Sequence, residues 1–284
     1  FENPKPTDFI KRLITISCNS DEIILDFFAG SGTTADAVVN MNMDEIANRK
    51  FILVQIPEII DPKKSKTTYN YVKIDLGIEV PTIFDVTKER AIRAAKKVKS
   101  NSVSKISERE KEIKELESKL DLDGKDEKIK QLKAEIKSLK EQDLGFKVFE
   151  TTTIWEDYNF EAEQFDSSQT LFDVGKLTED DIKALLTTWK TYDGIALTQE
   201  LESVDLSGYT AYYGNNKLYL MNKGFNTDNL KTLLEKIDTD KHFEPKSIIA
   251  FGYHLESKSL REISENVKTY NNKKKSDIDF ITRY

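Results

Sequence analysis

The sequence holds one cysteine, Cys18, two histidines, His242 and His254, and no two adjacent prolines, its six being Pro4, Pro6, Pro57, Pro62, Pro81 and Pro245. A single cysteine excludes an internal disulfide and any metal site built from several thiolates, and it fits a reducing compartment. At the end of an apolar helical stretch Cys18 reads as a small packing residue. No metal-ligand spacing surrounds either histidine, so both read as structural or surface residues. No apolar run approaches the roughly 18 residues that span a bilayer, and the expectation is a soluble, cytoplasmic protein with no membrane contact.

A surplus of positive charge is also missing. The formal net charge is −7 over 284 residues, which argues against general affinity for nucleic acid, because phosphate binding needs clustered Lys and Arg to displace counterions. The charge is uneven. Residues 1–87 carry nine basic against thirteen acidic side chains, residues 88–142 seventeen against twelve, and the remainder seventeen against twenty-five. Any basic surface is therefore expected in the middle third. The length suffices for two domains, each with its own core.

Along the chain, the proline-rich lead-in Phe1 to Pro6 predicts extended backbone, followed by a short helix capped at Thr7 or Asp8 and running through Ile16. Glu22 to Phe28 reads as a buried strand, Ala29 to Gly32 as a tight turn, and Thr33 or Thr34 as the start of a helix through Val39. A second strand is predicted over Lys50 to Ile56, and a third over Thr82 to Val86, leading into a helix from Lys88 to Val98. From Ser104 to Gln142 sparse apolar residues recur at helical spacing on either side of Asp123-Gly124, which predicts two antiparallel helices projecting roughly 24 Å. The rest predicts a strand over Phe146 to Thr151, helices over Glu179 to Trp189, Thr227 to Ile237 and Leu260 to Tyr270, a hairpin over Thr210 to Met221 around Gly214-Asn-Asn216, and strands over Ser247 to Tyr253 and Asp277 to Thr282. Lys273 to Lys275 reads as a solvated loop.

Chemistry concentrates in Ile24-Leu-Asp-Phe-Phe-Ala-Gly-Ser-Gly-Thr-Thr34. Two glycines between a strand and a helix let a ligand approach the backbone closely. Gly30-Ser-Gly32-Thr-Thr-Ala35 also satisfies the dinucleotide pattern, so an NAD-dependent oxidoreductase is one reading. Asp26 opposes it, since a carboxylate at the strand end repels a pyrophosphate. The same carboxylate suits the ammonium and sulfonium of S-adenosylmethionine.

Leu25 to Thr34 resembles the cofactor motif of DNA methyltransferases that modify the exocyclic amine of adenine or cytosine, and Asn3-Pro-Lys-Pro6 resembles their other cofactor motif. Lys50 to Glu58, with Thr82 to Arg93, is similar to modification subunits of type III restriction-modification systems in particular. The resemblance covers residues 1 to about 98 and continues beyond mainly in overall layout. It implies S-adenosylmethionine as cofactor, with Lys5 and Pro6 at its methionine end, Asp26, Phe28, Gly30 and Gly32 shaping the pocket, and Thr33 and Thr34 at the helix N-terminus. Relatives place an acid at the end of the second strand for the ribose hydroxyls; Gln55 stands nearest here, with Glu58 as a substitute.

The implied fold class is α/β: a Rossmann-like cofactor-binding half-domain over 1–100, a helical hairpin over 101–144 and a C-terminal α+β interaction domain over 145–284. The family's catalytic Asp-Pro-Pro-Tyr is absent, as is the target-recognition region that would precede Asn3, and the chain starts at Phe1. The expectation is therefore the C-terminal part of an adenine-specific DNA methyltransferase, inactive alone and without catalytic residues of its own. DNA, a second copy of the chain and an ATP-dependent restriction subunit are the implied partners. A non-catalytic dimerisation or docking module is the other open reading, motivated by the narrow apolar stripe on the charged hairpin.

Overall fold

A computed structural model of the protein describes residues 4–118, 124–153 and 177–284. It divides into two compact units, Phe1–Phe146 and Lys147–Tyr284.

The first unit begins with α1 (Thr7–Ser17), β1 (Ile23–Asp26), α2 (Thr33–Glu45) and β2 (Lys50–Leu53). β1 and β2 pair in parallel, Ile23 opposite Lys50 and Asp26 opposite Leu53, with α2 as the crossover between them. α2 is buried along most of its length because it packs on two sides. Ala37, Val38 and Met41 meet Ile14, Ile24 and Phe51, while Val39 and Met43 meet Ala94 and Val98; a helix with small apolar residues all round its axis belongs in such a position. Asn42, buried near the end of α2, donates to the carbonyl of Arg49 and accepts its N–H, which sets where β2 starts.

The run Glu22 to Phe28 is not a fully buried strand. Only four residues form β1, and its outer side chains Ile23 and Leu25 are 60% and 48% exposed, as is Ile52 of β2 at 48%. An unbroken apolar run suits a parallel strand covered on both faces. Here only the α2 side is covered.

After β2 come two elements that the sequence did not suggest, α3 (Lys66–Asn70) and a single π-helical turn over Tyr71–Asp75. The strand predicted over Thr82 to Val86 is instead the start of α4 (Ile83–Ser118). Thr82 and Asp85 form a reciprocal cap: the Asp85 carboxylate accepts from the Thr82 N–H at 2.8 Å, and the Thr82 hydroxyl accepts from the Asp85 N–H at 3.3 Å. That Thr-x-x-Asp box outweighs the β preference of Ile83 and Phe84. α4 runs for 36 residues and passes residue 100 without a break.

α5 (Lys125–Glu141) returns along the far half of α4. Ile113, Leu132 and Ile136 are buried between them, flanked by Ile106, Leu116 and Ile129. Ion pairs such as Arg109 to Glu135 at 3.1 Å and Lys128 to Glu112 at 3.4 Å edge this seam. Among the described residues, the narrow apolar stripe is thus packed inside the hairpin.

No strand forms over Phe146–Thr151, which is irregular up to Thr153. In the second unit, α6 (Glu179–Tyr192) precedes a five-stranded sheet ordered β3 (Glu202–Leu206), β4 (Tyr209–Gly214), β5 (Lys217–Leu220), β6 (Ser247–Phe251) and β7 (Asp279–Arg283). β3, β4 and β5 form an antiparallel meander; β5, β6 and β7 are parallel. The β4 to β5 turn is the anticipated one, with Asn215 and Asn216 at φ 48° and 59°, the two left-handed residues that a tight hairpin demands. β3 was missed.

Strand alternation sorts this core. Leu218, Leu220, Ile248 and Ala250 face the crossover helices α7 (Thr227–Thr239) and α8 (Ser257–Lys274), while Tyr219, Met221, Ile249 and Phe251 face Leu185 and Trp189 of α6. Lys273 and Lys274 are not in a loop: they end α8, where cations meet the negative end of the helix dipole, and Lys274 pairs with Asp238 at 3.1 Å. At the end of α6, Asp193 binds Arg283 of β7 through two hydrogen bonds of 2.6 and 3.0 Å and the Tyr219 hydroxyl at 2.8 Å. Burial raises the affinity of Asp193 for a proton, but the bonds from Arg283 and Tyr219 outweigh it and hold the carboxyl below the usual range. Of the histidines, His242 is exposed, and His254 is half-buried with Nδ1 at 2.7 Å from the Met221 carbonyl. Among the described residues no helix is long and apolar enough to cross a membrane.

Candidate functional site

The parallel pair β1 and β2 delivers two chain ends side by side. Past Asp26 the ladder continues, Val54 N–H donating to the Asp26 carbonyl and Ala29 N–H to the Val54 carbonyl. The turn Ala29–Gly32 and the segment Val54–Ile56 are therefore locked together beyond the strands.

Asp26 anchors the turn. One carboxylate oxygen accepts from the Phe28 N–H at 3.1 Å and the other from the Thr34 hydroxyl at 2.6 Å. Gly30 and Gly32 both adopt left-handed backbone, with φ of 54° and 77°. A side chain on Gly32 would also meet the carbonyl of Thr87 at 2.8 Å. Its missing Cβ makes room for α4. No side chain caps α2, whose N-cap position is Gly32 itself, so the first-turn amides look out from the turn without a side-chain acceptor.

Gln55 closes the turn from the other side. Its Oε1 accepts from the Gly30 N–H at 2.7 Å and its Nε2 donates to the Ile56 carbonyl at 2.9 Å, so both ends of the amide have partners within the protein. Phe28 is 87% exposed beside Asp26, an apolar ring held out at the mouth of the turn. Thr33 and Thr34 are buried, their hydroxyls turned inward. Any ligand contact at these two is left to their backbone.

Lys5 and Pro6 are exposed, and Pro6 is the N-cap residue of α1. They join the turn through Thr7, whose hydroxyl lies 3.4 Å from Asp36 and 3.2 Å from Arg90. Glu58 is exposed, and its carbonyl accepts from the Ile83 N–H where α4 begins. The structure thus gathers Asp26, Phe28, Gly30, Gly32, Thr34 and Gln55 at the ends of β1 and β2.

Sequence reasoning missed the layer behind the turn. Thr87 donates to the Gly30 carbonyl, and Arg90 contacts Ser31, Thr33, Asp36 and Thr7 at 2.9 to 3.2 Å. Thr87 and Arg90 stand three apart on α4, one helical face; Arg90 lies in the helix predicted from Lys88, and the Thr82-x-x-Asp85 box was the signal that would have extended that helix back to include Thr87. Together these groups make a rigid, open cradle with a carboxylate at its base, suited to a ligand carrying positive charge beside an aromatic body.

Two family descriptions match the chain, DNA methylase over residues 1–79 and type III R-M EcoP15I C-terminal domain over residues 180–276. Among curated proteins the chain is 36% identical over its whole length to the type III restriction-modification enzyme EcoPI Mod subunit of Escherichia phage P1, of which it covers 37%. It is 34% identical to the EcoP15I Mod subunit of Escherichia coli, covering 36% of it, and 26% identical to the StyLTI Mod subunit of Salmonella typhimurium, covering 40%. The chain therefore spans somewhat more than a third of the length of these relatives. Along that whole span the chain is a homologue of the Mod subunits of type III restriction-modification enzymes, with a DNA methylase match in its first part and a match to the type III R-M EcoP15I C-terminal domain in its last.

Proposed function

We propose that this chain is the S-adenosylmethionine-binding stretch of an adenine-specific DNA methyltransferase. The observation that carries this reading is the cradle at Asp26 to Thr34, lying inside the segment that matches DNA methylases. A carboxylate braced by two donors but still half-exposed retains lone pairs for an ammonium. Phe28 offers a face for the adenosine or the sulfonium. The left-handed turn leaves backbone close to the ligand. Lys5 and Pro6 border the methionine end. Gln55 acts by holding Gly30, and Glu58 is the remaining carboxylate for the ribose hydroxyls. When bound, the cofactor supplies a methyl group on a positively charged sulfur; the protein's part here is to grip and orient it. The fold in this reading is the Rossmann-like half-domain of a methyltransferase.

Methylating the amine of adenine also requires the base to be flipped out, held and aligned with the methyl group. The family's Asp-Pro-Pro-Tyr does this, and the six separated prolines of this sequence contain no such motif. The stretch alone therefore binds cofactor and transfers no methyl. DNA, a second copy of the subunit and an ATP-dependent restriction subunit are the partners of the whole enzyme in this reading, and its place is the cytoplasm.

Calorimetric titration with S-adenosylmethionine and separately with NAD, on the chain and on Asp26→Ala, tests the proposal. Binding of the first that is lost in the variant is the expected result. Tight NAD binding, or labelled methyl passed to DNA by this chain alone, would overturn it.

A further inference from the structure

Arg90 has five N–H donors, and the structure engages all of them in five hydrogen bonds to four acceptor atoms. Nη1 reaches Ser31 Oγ at 3.0 Å and Thr33 Oγ1 at 2.9 Å; Nε and Nη2 reach the same oxygen of Asp36 at 3.2 and 3.0 Å; Nη2 also reaches Thr7 Oγ1 at 3.2 Å. The acceptors come from separate pieces of chain: the lead-in into α1, the glycine turn, and the first turn of α2. Arg90 itself comes from α4. Thr7 is 83 residues away in sequence.

We infer that Arg90 is a positioning residue that locks the Lys5–Pro6 lead-in to the glycine turn, and so sets the affinity of the site for the amino-acid end of its ligand. The inference rests on the cofactor reading above. All five donors are engaged within the protein, so the guanidinium acts behind the turn and does not touch ligand. Lys5 and Pro6 precede the contact at Thr7 by two and one residues, and Pro6 fixes the intervening backbone at φ −60°. Where Thr7 is held, Lys5 is held. The turn residues that would meet the nucleoside have further supports that do not involve Arg90, from Gln55, Thr87 and Asp26. Losing Arg90 therefore loosens one half of the cradle more than the other. Lysine cannot replace it, because a single ammonium with three donors cannot span four acceptor atoms on several segments.

The chain and its Arg90→Gln and Arg90→Lys variants are titrated with S-adenosylmethionine, S-adenosylhomocysteine and 5′-methylthioadenosine. The last two share the adenosine and the thioether and differ in the amino-acid part. Both variants are expected to lose about tenfold or more for the two ligands with the amino-acid part, and no more than about twofold for 5′-methylthioadenosine. Equal losses for all three ligands, as a general loosening of the fold would give, or full rescue by lysine, would overturn the inference. Amide exchange without ligand gives a separate reading: Arg90→Gln should speed exchange at residues 7–10 and 31–34 while leaving 50–53 unchanged, and unchanged exchange at 7–10 would refute the lock. If the unaltered chain binds none of the three ligands, the cofactor reading falls, and the exchange pattern alone decides whether Arg90 ties the two segments.

Discussion

Gln55 Oε1 accepts the backbone N–H of Gly30 at 2.7 Å, which ties the residue beyond β2 to the turn beyond β1. The bond satisfies a turn amide that would otherwise need water or ligand. Gln55→Leu should therefore weaken S-adenosylmethionine binding by about tenfold, the worth of one part-buried hydrogen bond with its orphaned partner. Gln55→Glu keeps an acceptor for Gly30 but sets a carboxylate oxygen against the Ile56 carbonyl, and should not improve binding. Titration of both variants checks this; a gain from glutamate would return Gln55 to a direct role at the ribose.

Asp26 has two separable jobs, bracing the turn and presenting charge. Asp26→Ala removes both and should lower the stability of the first unit by about 2 kcal/mol, since the Phe28 amide and Thr34 hydroxyl lose their acceptor. Asp26→Asn preserves shape and one acceptor, and should cost binding without a matching fall in melting temperature. Thermal melts beside titrations separate the two. Equal destabilisation by alanine and asparagine, with proportionate loss of ligand, would reduce Asp26 to a brace.

Gly32→Ala should destabilise the first unit by about 2 kcal/mol or more, because its φ of 77° disfavours any Cβ and the added methyl would sit 2.8 Å from the Thr87 carbonyl. Gly77, also at positive φ but with open space around it, should tolerate alanine at about 1 kcal/mol. Paired denaturation curves test the difference.

Asp193 makes the second unit sensitive to acid. Its folded-state carboxyl is held below the ordinary value by Arg283 and Tyr219 against the opposing pull of burial. Such a group contributes stability that is complete above the unfolded value of about 3.9 and is lost as pH falls through the lower folded value. Asp193→Asn should remove that acid-side slope and, by leaving Arg283 without its partner, cost roughly 3 kcal/mol near neutral pH. Urea melts of the variant between neutral pH and about pH 3 read both effects.

What was legible in the sequence was local. Leu25 to Thr34 carries its own grammar of strand, left-handed turn and helix, and Asn215-Asn216 specifies a tight hairpin by the backbone it tolerates. What was not legible depended on partners distant in sequence. Ile83 and Phe84 look like strand residues until Thr82 and Asp85 are seen to cap a helix. Phe146 to Thr151 has the composition of a strand but forms no ladder among the described residues. β3, left unassigned from the sequence, exists because Ser207 and Gly208, both at positive φ, turn it back against β4. Arg90 was given no role within its predicted helix, since nothing in its neighbourhood announces acceptors at positions 7, 31, 33 and 36.

α4 is one rod of 36 residues, about 54 Å at the usual rise. Its near end carries Thr87 and Arg90 behind the glycine turn, and its far end is half of the hairpin. Between the two, Ala94 and Val98 are buried against Val39 and Met43 of α2. The backing of the glycine turn and one wall of the hairpin seam are thus cut from a single unbroken helix, so the two ends share one element with no joint between them.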